Sequence, residues 1–244
     1  MTRFKMKGVL ITMALASLSL SVAAQNKVGT FSIKPMAGLN ISSFGSSTYD
    51  IYKTRYGVSG GAEIEYGVKP WLGLSLGLAY SQQGAKIDGV ISMYGTDEKG
   101  HVFASASEMK GKLKCDYLNL PLMANFYIPE LKGFALKAGV QVGILTGDKI
   151  ETQVKTAVQW ALPSTGSFLP KDWPQDSFYS YSTSQTDVCK SVDFGIPVGL
   201  SYEYRNISLD ARYYFGLTKV DKTDDPDNSR NRCLSITFGY RFHL

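Results

Sequence analysis

The chain has 244 residues, 44% hydrophobic, 12% aromatic and 19% charged, with a formal net charge of +5. Its mean hydropathy is −0.09. The aromatic content excludes a disordered chain, the glycines lack the strict three-residue period of collagen, and only one apolar run, at the N-terminus, approaches the ~20 residues that a membrane helix needs.

That run reads as a secretory signal peptide. Arg3, Lys5 and Lys7 form a basic start, Gly8 to Leu20 are apolar, and Val22-Ala23-Ala24 offers a small-residue cleavage site. Residues 1–24 are therefore expected to be removed, leaving residues 25–244 as one barrel domain. Loss of three positive charges takes the net charge from +5 to +2. The basic balance thus belongs partly to the leader, and no clustered basic face points to nucleic acid.

The rest of the chain repeats with period 2, the signature of strands. In chain order the apolar positions are Phe31 to Ile41, Val58 to Val68, Leu72 to Tyr80, Leu118 to Phe126, Leu136 to Ile144, Val192 to Tyr202, Ile207 to Phe215 and Leu234 to Phe242. This predicts about eight strands, each near the ~9–11 residues that cross a bilayer. Short turns (Lys69-Pro70, Pro129 to Gly133, Arg205-Asn206) alternate with long connections (Ser43 to Tyr56, Ala85 to Gly111, Asp148 to Lys190, Val220 to Asn231). Within the second, Ile87, Gly89 and Ile91 keep the alternation, so its strands extend as a hairpin with a tip at Gly95 to Gly100. Short turns on one side and long loops on the other are the pattern of an up-and-down antiparallel barrel in the bacterial outer membrane, long loops outside. The second face is rich in Gly, Ser and Ala, which suits a narrow lumen. Large aromatics such as Tyr66, Phe126, Tyr213, Phe215, Tyr240 and Phe242 stand near strand ends on the apolar face, as lipid-interface girdles do.

Three stretches carry a family likeness: Tyr117-Leu118-Asn119-Leu120-Pro121-Leu122; Asp193-Phe194-Gly195-Ile196-Pro197-Val198-Gly199 with Tyr213-Tyr214-Phe215-Gly216-Leu217-Thr218; and Phe238-Gly239-Tyr240-Arg241-Phe242. With them the chain resembles the PorT-like family of bacterial outer-membrane β-barrel proteins. The resemblance implies a barrel of about eight strands in outer-membrane lipid. The family takes its name from a member needed for a protein secretion system, so it also implies an accessory secretion role with a secretion-machinery partner.

Four sets of residues are candidates for function. Lys34, Glu63, Glu65, Lys137, Asp193, Glu203, Asp210, Arg212 and Arg241 all fall on the inward parity. They line a selectivity pore or fill the lumen as an ion-pair network. A small barrel favours the network, since wide aqueous channels need about 16–18 strands. Cys115, Cys189 and Cys233 also face inward, near the long-loop end. They are either buried fillers or supply a bridge, with Cys115 and Cys189 the candidate pair in a compartment that permits disulfides. Trp160, Trp173, Tyr179 and Tyr181 lie in the third long connection, where they either anchor an extracellular protein partner or fold over the barrel mouth. His101, followed by Ser105 and Ser107, has no nucleophile elbow or orienting acid visible in sequence. No catalytic site, metal site or cofactor is expected. The reading is a non-enzymatic barrel acting structurally or through its surface loops, with a narrow porin-like pore and the secretion accessory as alternatives.

Overall fold

The computed structural model describes residues 28–45, 51–161, 177–222 and 229–244. Residues 1–24, expected to be a signal peptide, and Trp173 lie outside the described residues. Among the described residues eleven strands follow in chain order: β1 (Phe31–Gly45), β2 (Tyr52–Lys53), β3 (Arg55–Lys69), β4 (Leu72–Thr96), β5 (Val102–Tyr127), β6 (Phe134–Ala161), β7 (Ser177–Gln185), β8 (Val192–Tyr204), β9 (Ile207–Lys219), β10 (Arg230–Tyr240) and β11 (Phe242–His243). Eight of them, β1, β3, β4, β5, β6, β8, β9 and β10, form a ring of antiparallel neighbours. The ring closes where β1 pairs with β10, from Met36 opposite Gly239 to Gly45 opposite Arg230. Closure leaves the ring no unpaired edge, which is what an apolar environment demands of backbone polar groups.

Side-chain alternation sorts the ring into two faces. Ile64, Leu76, Leu122, Leu136, Val140, Leu200 and Phe238 point outward and are exposed. Ser75, Asn125, Lys137, Gln141, Ser201 and Asp210 point inward and are buried. A soluble barrel reverses this order. An apolar belt around the whole ring far exceeds the few hundred Å² that monomeric soluble proteins expose, and it matches a lipid-facing wall. Aromatic pairs mark its short-turn rim: Phe31 with Tyr66, centroids 4.9 Å apart, Phe134 with Tyr202 at 4.7 Å, and Tyr240 with Phe242 at 4.8 Å.

The ring is taller on one side. β4, β5 and β6 run for 25, 26 and 28 residues, more than twice the ~9–11 residues a bilayer takes. The β4–β5 hairpin stays in register up to Thr96 opposite Val102. Its tip is closed by Asp97, whose carboxylate accepts from the Lys99 and His101 amides at 2.9 and 2.8 Å. The third long connection differs from its expected loop character. β6 continues through residues 148–161, and β7 pairs with it from Ile150 opposite Gln185 to Val158 opposite Ser177. The cause is local: Ile150, Thr152, Val154, Thr156 and Val158 keep the period-2, β-branched pattern past the membrane stretch. Residues of the first long connection likewise extend β1 to Gly45, and β2 pairs with β4.

Candidate functional site

The nine inward charges form three groups, stacked along the lumen. At the short-turn end Arg241 reaches Glu203 at 2.7 Å and Glu65 at 3.1 Å. It also donates to Ser32 Oγ at 2.8 Å and to Tyr127 Oη at 3.2 Å. Asn125 donates to Glu65 at 2.8 Å, and the Tyr127 hydroxyl donates to the other Glu65 oxygen. One layer deeper, Lys34, Lys137 and Arg212 surround Glu63 and Asp210. Lys137 lies 3.2 Å from Glu63 and 2.6 Å from Asp210. Lys34 lies 3.5 and 3.6 Å from the same two. Arg212 Nε donates to Asp210 at 2.7 Å, while its Nη2 contacts Glu63. Asp193 stands apart near the opposite end and is held by neutral donors: Tyr214 at 3.0 Å, Asn231 at 3.1 Å and the Thr218 hydroxyl. Sequence parity identified the charges. It did not single out Tyr127, Asn125, Tyr214, Thr218 or Asn231, although all but Tyr127 and Thr218 are buried inward positions. A search for inward hydroxyls and amides would have found most of them.

Between the charge layers and Asp193 lies a cavity of about 60 Å³, bordered by Ser59, Gln83, Asn119, Gln141 and Arg212. That is enough for a few waters. The long-loop end holds an apolar plug of Phe44, Ala85, Leu113, Cys115, Tyr117, Cys189 and Val220. Cys115 and Cys189 meet there, and Cys233 lies elsewhere, its Sγ 3.7 Å from Ser235 Oγ. The segment between β7 and β8 carries Cys189 into this plug. The Asp148 carboxylate caps the segment, accepting from the amides of Asp187 at 2.8 Å and of Val188 and Cys189 at 2.7 Å each. Backbone bonds from Lys190 to Val220 (2.7 Å) and from Leu145 to Ser191 (2.8 Å) complete the seat.

Partial burial pushes the Asp148 carboxyl up, but the three amide donors outweigh it and hold the group below its ordinary 3.8. A carboxyl depressed by folding stabilises the fold above its unfolded value and loses that contribution as pH falls through the folded value. The amide resonances of Asp187, Val188 and Cys189 are therefore expected to titrate together with a midpoint below 3.8. NMR in a nanodisc checks this, and Asp148→Asn is expected to abolish the shared titration.

The tall side of the ring forms a two-faced sheet beyond the plug. Its outer face carries Lys86, Asp88, Glu108, Lys110, Lys112, Lys114, Glu151 and Lys155. Its inner face, continuous with the lumen, places Phe103 opposite Trp160, Val154 opposite Tyr181 and Thr156 opposite Tyr179. Trp160 packs on Phe103 with centroids 5.3 Å apart and meets His101 edge-on at 6.3 Å. Tyr179 and Tyr181 are 57% and 56% exposed. The aromatic candidates Trp160, Tyr179 and Tyr181 thus share one face. His101 Nδ1 lies 2.7 Å from Asp97, and Ser107 bonds Thr156 at 2.9 Å rather than the histidine. Among the described residues no cluster of His, Cys, Asp and Glu could hold a metal ion.

The family described as the outer membrane protein beta-barrel domain matches residues 23–222. No curated protein matches the chain. Among solved structures, the attachment invasion locus protein Ail of Yersinia pestis is similar at 16% identity and a TM-score of 0.40, over 88% of this chain and 100% of that one. Neisserial surface protein A is similar at 19% identity and 0.39, over 87% and 97%. OprG of Pseudomonas aeruginosa is similar at 13% identity and 0.36, over 90% and 99%. The chain belongs to the outer membrane protein beta-barrel domain family and is a small β-barrel of the bacterial outer membrane.

Proposed function

We propose that this barrel is a non-conducting, non-enzymatic scaffold that holds a rigid β-sheet above the outer membrane for contact with an extracellular protein partner. One observation carries the reading: the lumen is filled by ion pairs at its periplasmic end and by an apolar plug at its extracellular end, while the sheet of β4, β5, β6 and β7 continues past the plug with an aromatic inner face. A barrel wall that serves only as an anchor gains nothing from 25–28-residue strands. A platform does, because sites on strands are held more precisely than sites on loops. The signal peptide over residues 1–24 delivers the chain to this compartment, and the PorT-like resemblance supplies a second class of partner, a secretion component in the same membrane.

Two measurements test the reading. Liposomes bearing the purified barrel are expected to show no sugar or ion flux above empty liposomes; steady flux would favour the narrow pore. A photo-crosslinking residue at Tyr181, on the inner face, is expected to capture a discrete partner on intact cells, whereas one at Lys112, on the outer face, does not. Equal capture at both positions, or capture at neither, counts against the aromatic face as the contact.

A further inference from the structure

We propose that Cys115 and Cys189 form a disulfide that fastens the β7–β8 segment into the barrel mouth, and that Cys233 stays a free thiol. The two sulfurs lie 2.8 Å apart. Non-bonded carbon atoms already rest about 3.5–4.0 Å apart, and sulfur is larger, while a disulfide is about 2.03–2.05 Å long. The observed approach therefore sits well inside non-bonded contact. Both residues are buried, in the same plug. Their backbones are fixed independently: Cys115 by the β5 ladders on either side, Cys189 by the Asp148 carboxylate and a bridge to Asp221. Once the plug is seated, contacts other than their own therefore hold the two sulfurs together. Cys233 stands apart, with a serine hydroxyl as its neighbour.

The bond joins residues 74 apart in sequence, so it ties the segment before β8 to β5, much earlier in the chain. An outer-membrane protein crosses an oxidising compartment on its way, where such bonds form and persist. The chemistry balances by exchange with a disulfide oxidant, protein or small molecule. One cysteine thiolate attacks the oxidant disulfide and gives a mixed disulfide, releasing one oxidant thiolate. The second cysteine thiolate displaces the other. The two cysteines lose two protons and two electrons, and the oxidant leaves as two thiols. Because both sulfurs are buried in the closed barrel, this exchange occurs before the plug seats, and the finished bond is shielded from reductant.

The test uses the wild-type chain purified from outer membranes without reductant. The protein is denatured, blocked with N-ethylmaleimide, then reduced and labelled with a heavier maleimide for peptide mass spectrometry. The expected result is one light label, on Cys233, and heavy labels on Cys115 and Cys189. Three light labels, or a heavy label on Cys233, would overturn the assignment. Cys233→Ser is expected to keep the linked pair, and Cys115→Ser to turn Cys189 into a light-labelled thiol. For the fastening role, the rate of trypsin cleavage after exposed Lys190 is expected to rise about tenfold in Cys115→Ser through local opening and to stay unchanged in Cys233→Ser. Equal rates in the two variants would overturn that role.

Discussion

Replacing Glu63 with alanine is expected to lower the unfolding free energy of the barrel by about 3–5 kcal/mol, the usual cost of removing one partner from a buried ion pair. Glu63 is 1% exposed and touches Lys34, Lys137 and Arg212. Without it three cations share Asp210 alone, in a lumen whose neighbouring cavity holds no more than a few waters. Urea unfolding from lipid vesicles, followed by tryptophan fluorescence, reads the loss directly. Asp193→Asn is the contrasting case. Asp193 is held by Tyr214, Thr218 and Asn231 and faces no cation in these contacts. Its amide replacement keeps one acceptor, so the expected loss is about 1–3 kcal/mol, that of an imperfectly satisfied buried group. Equal losses at the two positions would mean that the deeper layer is not a coupled ion network.

Gly38→Ala is expected to block closure of the ring. Gly38 lies on β1 opposite Thr237 of β10, at the seam that joins the first strand to the last. A Cβ there would stand 2.0 Å from the Ile236 carbonyl oxygen and 2.6 Å from the Thr237 Cα. Both obstacles are backbone of the closing strand, so neither can turn aside as a side chain does. Overpacking costs about 1–3 kcal/mol in ordinary cores, and this contact belongs at the upper end. Gly60→Ala is the matched control, since its Cβ would meet only the Met36 carbonyl oxygen, at 3.8 Å. Folded barrels resist SDS until heated, so the folded fraction is read from gel migration. Gly38→Ala is expected to lose most of it and Gly60→Ala to keep it.

The ring was legible in the sequence because lipid and lumen impose opposite demands on alternate residues. Leu136, Ala138, Val140, Val142 and Ile144 against Lys137, Gly139, Gln141 and Gly143 is enough to phase β6. The inward charges were legible for the same reason. Their partnerships were not. Glu63 meets Lys137 and Arg212 from strands across the barrel, and that contact depends on ring closure and strand stagger, which no local pattern encodes. The raised sheet was partly hidden by composition. Lys149, Glu151, Gln153 and Lys155 give the stretch after Asp148 a loop-like polarity. The alternation of Ile150, Thr152, Val154 and Thr156 between them is the signal that decides its structure. Tyr179 and Tyr181 joined Trp160 on one face only once β7 was seen to pair with β6.

The apolar face of every ring strand meets lipid, and the polar face fills the lumen. A photo-crosslinking residue walked along β6 from 136 to 144, in protein reconstituted into lipid vesicles, tests it most directly. Lipid adducts are expected at Leu136, Ala138, Val140, Val142 and Ile144 and to be absent at Lys137, Gly139, Gln141 and Gly143. Adducts on the opposite parity, or on both, would mean that the polar face meets lipid and that this arrangement of the barrel is wrong.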